Sequence, residues 1–369
     1  MKVFRNRPMV ASALALVIAA SGLLGNITSS ASGASTSYLT LAQAKAQFTL
    51  ASAKVKWNGP TTPALAAKGK KVAIISCPLF LQGCTVATNS VEAAATALGW
   101  TYVDIPVTNY PENFNTALTS NPDVIISIGF PAAALPAVGL AAAKAAKIPV
   151  VDINGDCAVG PTGCDASQSF SEKAMGRLQG LALMVVMKGN VRLLSFIDNE
   201  LSDGYLNNQY TIAWLKLHDK GFKLLSTTTL LEANSASLIA SLTVAAVRKN
   251  PTANSLLTPY DPIAGIQVPA LANAGLGKKI TVVTNIGLTQ NLQWVARNYV
   301  QRADVANELD WTGWAAMDKA IRFLDGQPQV QENVPLKIMT SANAPKNGAW
   351  NDDGVNYMAK YKALWGLTP

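Results

Sequence analysis

A repeated alternation of apolar runs and Ala-rich segments constrains the fold of this chain more than any other feature of its sequence. Four short runs are dense in Val and Ile and have the length of strands buried on both faces. They are residues 71–76, 101–105, 123–128 and 149–153. Ala- and Leu-rich segments, whose composition favours helices, lie between them at 85–98, 112–120 and 132–146. This order predicts a parallel sheet with crossover helices, which is a doubly wound α/β half-domain.

The same alternation returns in the second half of the chain. Strands are predicted at 190–197, 222–231, 254–257 and 279–284, and helices at 170–188, 201–219, 235–249 and 262–274. Further helices are predicted at 40–56, 287–298 and 311–324, with a linker at 57–69 and a mostly irregular tail from residue 331. The sequence therefore predicts two α/β domains in tandem.

The amino terminus has the pattern of a secretory signal peptide. Basic residues precede an uncharged apolar run at 9–25, and small polar residues follow it with cleavage sites after Ala31 or Ala34. A membrane anchor is the alternative, although a run of this length is marginal for a span. Asn26 stands where a lipoprotein box requires cysteine, so we expect an exported, unlipidated protein that is periplasmic, secreted or in the cell envelope.

Charge and composition argue against a nucleic-acid partner. Three of the 30 basic residues precede residue 9, so removal of the signal lowers the formal net charge from +8 to +5. The sequence contains no dense Lys/Arg run that would form a phosphate-binding stripe. The apolar half of the composition is enough for two sizeable cores.

Four cysteines occur as two pairs of identical spacing, Cys77 with Cys84 and Cys157 with Cys164. In an exported chain this indicates two disulfides. Four cysteines allow three pairings, and we favour the local ones because each pair lies in one loop after strands that should not be neighbours. Metal binding by these cysteines is the alternative, but the spacing is not that of a zinc site and no His lies near.

Seven sequence elements, taken in order, resemble one known family. They are KKVAIIS at 70–76, ATALGW at 95–100, PDVII at 122–126, AAKIPVV at 145–151, NP at 250–251, YDPIAG at 260–265, and the G-x-x-A…L-x-G helix at 313–326. Together they resemble type I periplasmic binding proteins, in particular the ribose- and galactose-like solute-binding proteins of sugar ABC transporters. The resemblance covers roughly residues 70–327.

The resemblance implies two lobes joined by a hinge of three crossovers, with the helix at 311–324 returning to the first lobe. The lobes would close on a ligand between them. The implied division is a signal peptide at 1–34, an N-terminal helix and linker at 35–69, a first lobe at 70–166 plus 303–330, and a second lobe at 167–302 plus 331–369.

The resemblance also implies a set of ligand-binding positions. In the first lobe they follow the strand ends and are Phe80, Gln82, Phe130, Asn154 and Asp156. In the second lobe and hinge they are Asn208, Asn234, Tyr260, Asp261, Asn285 and Asn307. Structural alternatives remain for some of them: Asp261 suits a helix N-cap before Pro262, and Phe80 and Phe130 suit core packing. The tryptophans at 311 and 314 have two interpretations, stacking on a ligand or, as their helical spacing favours, core packing.

The sequence departs from the sugar-receptor pattern at several of these loops. The segment 129–134 offers no side-chain hydrogen bond, Gly155 replaces a basic residue, and no arginine lies near Asn208. Unpaired buried hydroxyls cost roughly 1–3 kcal/mol each. We therefore expect a ligand less polar than a free sugar.

The function expected from the sequence is capture of a small molecule, a sugar or sugar-like compound, for delivery to the permease of an ABC importer. We expect a monomer that binds no metal or cofactor and catalyses no reaction. One alternative is a receptor that presents a less polar metabolite to a chemoreceptor or sensor kinase. A secreted hydrolase is more distant, because His218 is the only histidine and no G-x-S-x-G, phosphate-loop or H-E-x-x-H motif is present.

Overall fold

The computed structural model describes residues 38–79, 81–131, 134, 136–231, 234–330 and 332–367. The predicted signal peptide, its cleavage sites and Phe80 lie outside these residues. Eleven α-helices and eleven β-strands occur in the described part of the chain, and the strands form two sheets.

The first sheet has five parallel strands in the order β2-β1-β3-β4-β5. They are β1 (Lys71–Ser76), β2 (Thr101–Pro106), β3 (Val124–Ile128), β4 (Val150–Ile153) and β5 (Ala166–Gln168). Its helices are α2 (Gln82–Ala97), α3 (Tyr110–Thr119), α4 (Ala137–Ala145), α10 (Leu309–Leu324) and α11 (Tyr357–Leu364). Alternate residues of β1 enter different cores: Val72 and Ile74 pack with α2 and α10, whereas Ala73 and Ile75 pack with α3 and α4.

The second sheet has six strands in the order β11-β10-β9-β8-β6-β7, and β11 alone runs antiparallel, against β10. The strands are β6 (Arg192–Asp198), β7 (Lys223–Leu230), β8 (Ser255–Leu257), β9 (Thr281–Ile286), β10 (Gln301–Asn307) and β11 (Leu336–Met339). The helices are α1 (Leu41–Ala51), α5 (Glu172–Val186), α6 (Ser202–His218), α7 (Ala236–Lys249), α8 (Asp261–Asn273) and α9 (Thr289–Ala296). Helices α1, α5 and α6 share one core, and α7 and α8 another.

The predicted fold class is confirmed: both sheets are parallel or nearly so, and helices cover both faces of each. Strands β5, β10 and β11 and helix α11 were missed by the sequence analysis. Strand β5 has three residues and β11 four, and β10 begins with polar Gln301 and Arg302, so none carries the apolar run of a buried strand.

The placement of two elements differs from the lobe limits implied by the resemblance. Residues 303–307 belong to β10, which pairs with β9 in the second sheet. Helix α11 packs in the first lobe, although residues 331–369 had been assigned to the second. Long-range pairing and aromatic packing decide both positions, and neither leaves a local pattern in the sequence.

Passages between the lobes follow β5, β10 and α10, as the resemblance implies. Two more arise because α1 packs on the second lobe before β1 begins the first, and because α11 returns to the first lobe after β11. The first and the last helix of the described chain therefore each pack on one lobe, while the strand nearest to them in the sequence belongs to the other lobe.

An aromatic cluster holds α11 against α10. The Trp314 and Trp365 rings stack at 5.2 Å, and Trp311 stacks on Trp57 at 5.4 Å and on Tyr357 at 5.1 Å. The packing alternative for the tryptophans at 311 and 314 is the one that the structure shows, since both are buried.

Both cysteine pairs form disulfides with the favoured local pairing. The Cα atoms of Cys77 and Cys84 are 5.5 Å apart, and those of Cys157 and Cys164 are 5.7 Å apart. Each bridge closes a loop at the carboxyl end of a first-sheet strand, β1 or β4. The sulfur atoms are therefore not available as metal-binding thiolates.

Candidate ligand-binding cleft

A cavity lies between the lobes at the carboxyl ends of the parallel strands, where α/β sheets bind their ligands. Its volume is about 680 Å³, counting the part that opens to solvent. The first lobe contributes Cys77, Leu81, Gly83, Cys84, Ala87, Ile128, Gly129 and Asn154. The second lobe and the connecting segments contribute Phe170, Leu201, Asp203, Tyr260, Pro262, Ile286, Asn307 and Leu309.

Most of this lining is apolar. Four residues bring a polar side chain to it: Asn154, Asp203, Tyr260 and Asn307. The first disulfide and the side chains around it form much of the first-lobe wall. A site of this kind buries an apolar ligand face and orients the ligand through a few polar contacts.

Asn154 reaches the cavity through a special backbone conformation. It follows β4 with a φ of 47°, in the left-handed region that asparagine tolerates better than most residues. Its Oδ1 atom is buried and has no hydrogen-bond partner within the described part of the protein. A ligand donor would satisfy this oxygen.

Tyr260 lies immediately before α8 and links the cavity to the end of β6. Its hydroxyl donates a hydrogen bond of 2.5 Å to Asp198 Oδ2, and the Asp198 carboxylate also accepts from the Glu200 amide at 2.8 Å. Burial raises the pKa of Asp198. The phenol ring is thereby fixed against the cavity wall.

Asp203 lies in the first turn of α6 and contributes a carboxyl group to the lining. Burial raises its pKa to about 7, and the negative charges of Asp156, Asp198 and Glu172 add to the effect. Its Oδ1 atom is buried without a hydrogen-bond partner among the described residues. This group was missed at the sequence level, although it follows a predicted strand end, the place where ligands of such sheets bind.

Asp156 joins the two lobes beside the cavity rather than lining it. Both of its carboxylate oxygens lie 3.2 Å from the Ser202 amide nitrogen, which belongs to the first turn of α6 in the second lobe. A carboxylate is favoured at a helix N-terminus by the unpaired amides and the helix dipole. The contact closes one side of the cleft.

Asp261 is buried beneath the cavity and does not line it. Its Oδ2 atom accepts hydrogen bonds from the amides of Gly287 at 2.9 Å and Leu288 at 2.7 Å. Burial and the neighbouring Asp304 raise its pKa well above the usual value. It is not an N-cap either, because α8 begins at Asp261 and its N-cap is Tyr260. Its carboxyl group instead holds the turn between β9 and α9.

Four other predicted positions also lie off the cavity lining. Asn208 donates to the Phe196 carbonyl at 2.5 Å, and Asn285 donates to the Pro259 carbonyl at 2.7 Å. Phe130 is fully buried in the first-lobe core against Tyr110, with ring centroids 4.5 Å apart. Asn234 accepts from the Leu231 amide at 3.0 Å in the turn before α7. Local packing or backbone bonding accounts for each of them.

A second cavity of about 560 Å³ adjoins the first at the hinge and shares Ile286, Asn307 and Leu309 with it. Gln82 lines this cavity rather than the larger cleft, together with Glu308 and Trp350. Burial raises the pKa of Glu308 to about 8. Sequence analysis missed Glu308 and Trp350, because their position depends on the return of the chain through the hinge.

His218 lies at the end of α6 that is remote from the cavity. Its ring packs on Trp214 at 4.6 Å, and burial lowers its pKa. Leu201 and Asp203 mark the other end of the same helix, about 24 Å away at 1.5 Å per residue. Within the described residues no three His, Cys, Asp or Glu side chains are grouped to hold a metal, and no helix has the length and apolar character needed to cross a membrane.

A sequence model of the periplasmic binding protein domain family matches residues 82–328, more than half of the chain. The chain belongs to the periplasmic binding protein family. The resemblance seen in the sequence is thereby confirmed. Periplasmic binding proteins are exported and are a non-enzymatic family. Among curated protein sequences, none matches this chain significantly.

Solved structures of several solute-binding proteins share the fold. An ABC transporter solute-binding protein from Agrobacterium vitis with bound allitol is 20% identical, with a TM-score of 0.66 over 74% of this chain and 96% of that one. The glucose-galactose binding protein GanP from Geobacillus stearothermophilus is 18% identical, with a TM-score of 0.65 over 76% and 100%. A solute-binding protein from Actinobacillus succinogenes with bound D-allose is 14% identical, with a TM-score of 0.66 over 74% and 99%.

Proposed function

We propose that this protein captures a sugar or sugar-like solute between its lobes and delivers it to the permease of an ABC importer. The observation that carries the proposal is the cavity at the carboxyl ends of both sheets, lined by residues of both lobes. The three structural relatives are named for, or hold, a sugar or polyol. The family membership adds support, because periplasmic binding proteins work with such permeases.

The binding residues in this proposal are Asn154, Asp203, Tyr260 and Asn307, with Gln82 and Glu308 in the adjoining cavity. They come from both lobes and the hinge, so a solute that contacts all of them favours the closed arrangement. Binding energy then depends on closure, and the open and closed forms give the permease two distinguishable surfaces.

The apolar share of the lining sets the ligand class. Leu81, Ile128 and Leu309 offer no hydrogen bond to a hydroxyl group, and a hydroxyl left unpaired against them costs about 1–3 kcal/mol. The solute in this proposal therefore has one apolar face or fewer hydroxyls than a free hexose. Periplasmic binding proteins are a non-enzymatic family, and we expect the mature protein to bind its solute without catalysis.

Export and processing are part of the same proposal. The amino-terminal pattern of basic and apolar residues supports a cleaved signal peptide, and Asn26 at the position of the lipidated cysteine supports a mature protein without a lipid. The mature protein would act as a monomer in the periplasm or cell envelope.

Isothermal titration calorimetry of the mature protein with a panel of pentoses, hexoses, polyols and their amino and deoxy derivatives tests the proposal. We expect saturable one-to-one binding of at least one member. Asn154→Ala and Tyr260→Ala should each weaken it at least about tenfold through loss of a buried polar contact. Asn234→Ala, an asparagine off the cavity, is the matched control and should bind normally. Lack of saturable binding across the panel would overturn the proposal.

A further inference from the structure

We propose that the solute held in the cleft carries a protonated amino group, which the Asp203 carboxylate receives. The ligand class is then amino sugars or hydroxylated amines rather than neutral sugars. This inference rests on the proposed function and specifies the chemistry of the same site. The cavity wall contains the carboxyl group of Asp203, whose negative charge has no cation beside it among the described residues.

Asp203 is a partly buried residue whose carboxyl group has no cation beside it among the residues that the structure describes. Its Oδ1 atom is buried and unpartnered in the part of the chain that the structure describes, and none of the ion pairs found there involves it. An ionised carboxylate taken out of water requires a cation or several donors to offset the lost hydration. Asp203 lines the cavity, so a ligand bound there can supply them.

No basic side chain lines either cavity among the described residues. The charges that act on Asp203 are those of Asp156, Asp198 and Glu172, and all are negative. Glu308 brings another carboxyl group to the adjoining cavity. A neutral hydroxyl donates one hydrogen bond to these carboxyl groups but leaves their negative charge uncompensated. An ammonium group donates hydrogen bonds and also compensates the charge.

An independent observation comes from the hinge. Asn307 is 4% exposed, lines the same cavity, and has an Oδ1 atom without a hydrogen-bond partner. Asn154 presents a second unpartnered Oδ1 to the cavity. An ammonium group has three donors and no acceptor, and it can therefore donate to the Oδ1 atoms of Asn154 and Asn307. An asparagine amide can also turn and present its NH2 group, so the two asparagines alone do not require an ammonium group. The Asp203 carboxylate is the group that favours a charged donor over a neutral one.

The protonation of Asp203 gives the proposal a second readout. Burial and the neighbouring carboxylates raise its pKa to about 7. A bound ammonium group stabilises the ionised form and lowers that pKa, so binding at acid pH must displace a proton. Affinity for an aminated solute should therefore fall as the pH is lowered from 8 to 5, while that for a neutral solute should not.

The test is calorimetry with matched pairs of solutes, each a hexose or polyol and its amino derivative. For the unaltered protein we expect the aminated member to bind at least about tenfold more tightly at pH 8, because a hydrogen bond to a charged group is the stronger kind. Asp203→Asn should abolish this preference, so that the two members of a pair bind with similar affinity. Asp325→Asn, the same change at an exposed site after α10, should preserve it. Circular dichroism melting verifies that each variant is folded.

Two results separate this inference from the function on which it rests. Equal or tighter binding of the neutral members, or a preference that survives Asp203→Asn, overturns the inference alone. Failure of both classes to bind overturns the proposed function and the inference with it. A preference for the amine that disappears at pH 5 supports both.

Discussion

Carboxyl side chains at the strand ends fix the backbone of the loops around the cleft. Asp152 is fully buried and accepts from the Ser127 hydroxyl at 2.6 Å and from the Cys157 amide at 3.3 Å. Asp261 holds the amides of Gly287 and Leu288 in the same way. At the scale of residues, these acids shape the site without touching its ligand.

Replacing Asp261 should therefore affect stability before it affects binding. We expect Asp261→Ala to lower the free energy of unfolding by about 2–4 kcal/mol, because two buried amides lose their acceptor. Asp261→Asn, which keeps one acceptor oxygen, should cost less. Urea denaturation measures both, and an alanine variant as stable as the parent would contradict this role.

Asp152 should make stability depend on pH. Burial raises its pKa to about 7 in the folded protein, against about 3.9 in an unfolded chain. The folded state therefore holds the proton to higher pH, and the stability from this group is present below pH 4 and lost as the pH rises through 7.

The variant Asp152→Asn removes this titration and should flatten the profile of unfolding free energy between pH 4 and 8. The difference from the parent should be on the order of 1–4 kcal/mol across that window. Denaturant titrations at several pH values test it, with Asp325→Asn as the exposed control. An unchanged profile would show that Asp152 keeps an ordinary pKa.

At the scale of elements, terminal helix α11 stabilises the first lobe through aromatic packing. Trp365 is 2% exposed, stacks on Trp314, and donates from its indole nitrogen to Asp318 Oδ1 at 2.8 Å. The other Asp318 oxygen pairs with Arg322 at 2.6 Å. The C-terminal helix thus contributes aromatic side chains to the core of the first lobe, although the sequence pattern predicted a mostly irregular tail.

We expect Trp365→Ala to cost about 3–5 kcal/mol, since it removes a large buried ring and the donor to Asp318. Trp365→Phe keeps an aromatic ring and should cost less. Phe323→Ala, at a side chain that is 40% exposed, is the surface control. Thermal and urea unfolding give the values, and a small loss for Trp365→Ala would mean that α11 docks only loosely.

The contact between Asp156 and the first turn of α6 joins the two lobes beside the cleft. Asp156→Ala removes the carboxylate that both lobes share through the Ser202 amide. We expect the ligand-free variant to have a larger radius of gyration in small-angle X-ray scattering and a weaker affinity for solute. Asp325→Ala is the control, and an unchanged scattering curve would show that the contact does not restrain the lobes.

At the scale of the whole molecule, the sequence could predict the two sheets because Val- and Ile-rich runs separated by Ala-rich segments leave a local signal. The family resemblance placed Asn154, Tyr260 and Asn307 at the cleft, and the first two also follow predicted strands. The resemblance could not separate them from Asn208 in α6 and Asn285 in β9, whose side chains donate to backbone carbonyls. Asp203 was missed because its importance comes from burial, which only the packed lobes create.

A crystal structure of the mature protein grown with its tightest-binding solute tests capture between the lobes most directly. We expect solute density in the cavity, within 2.7–3.2 Å of polar atoms on Asn154, Asp203, Tyr260 or Asn307, with residues of both lobes in contact. Solute density on the outer surface of one lobe, with only water in the cavity, would contradict it.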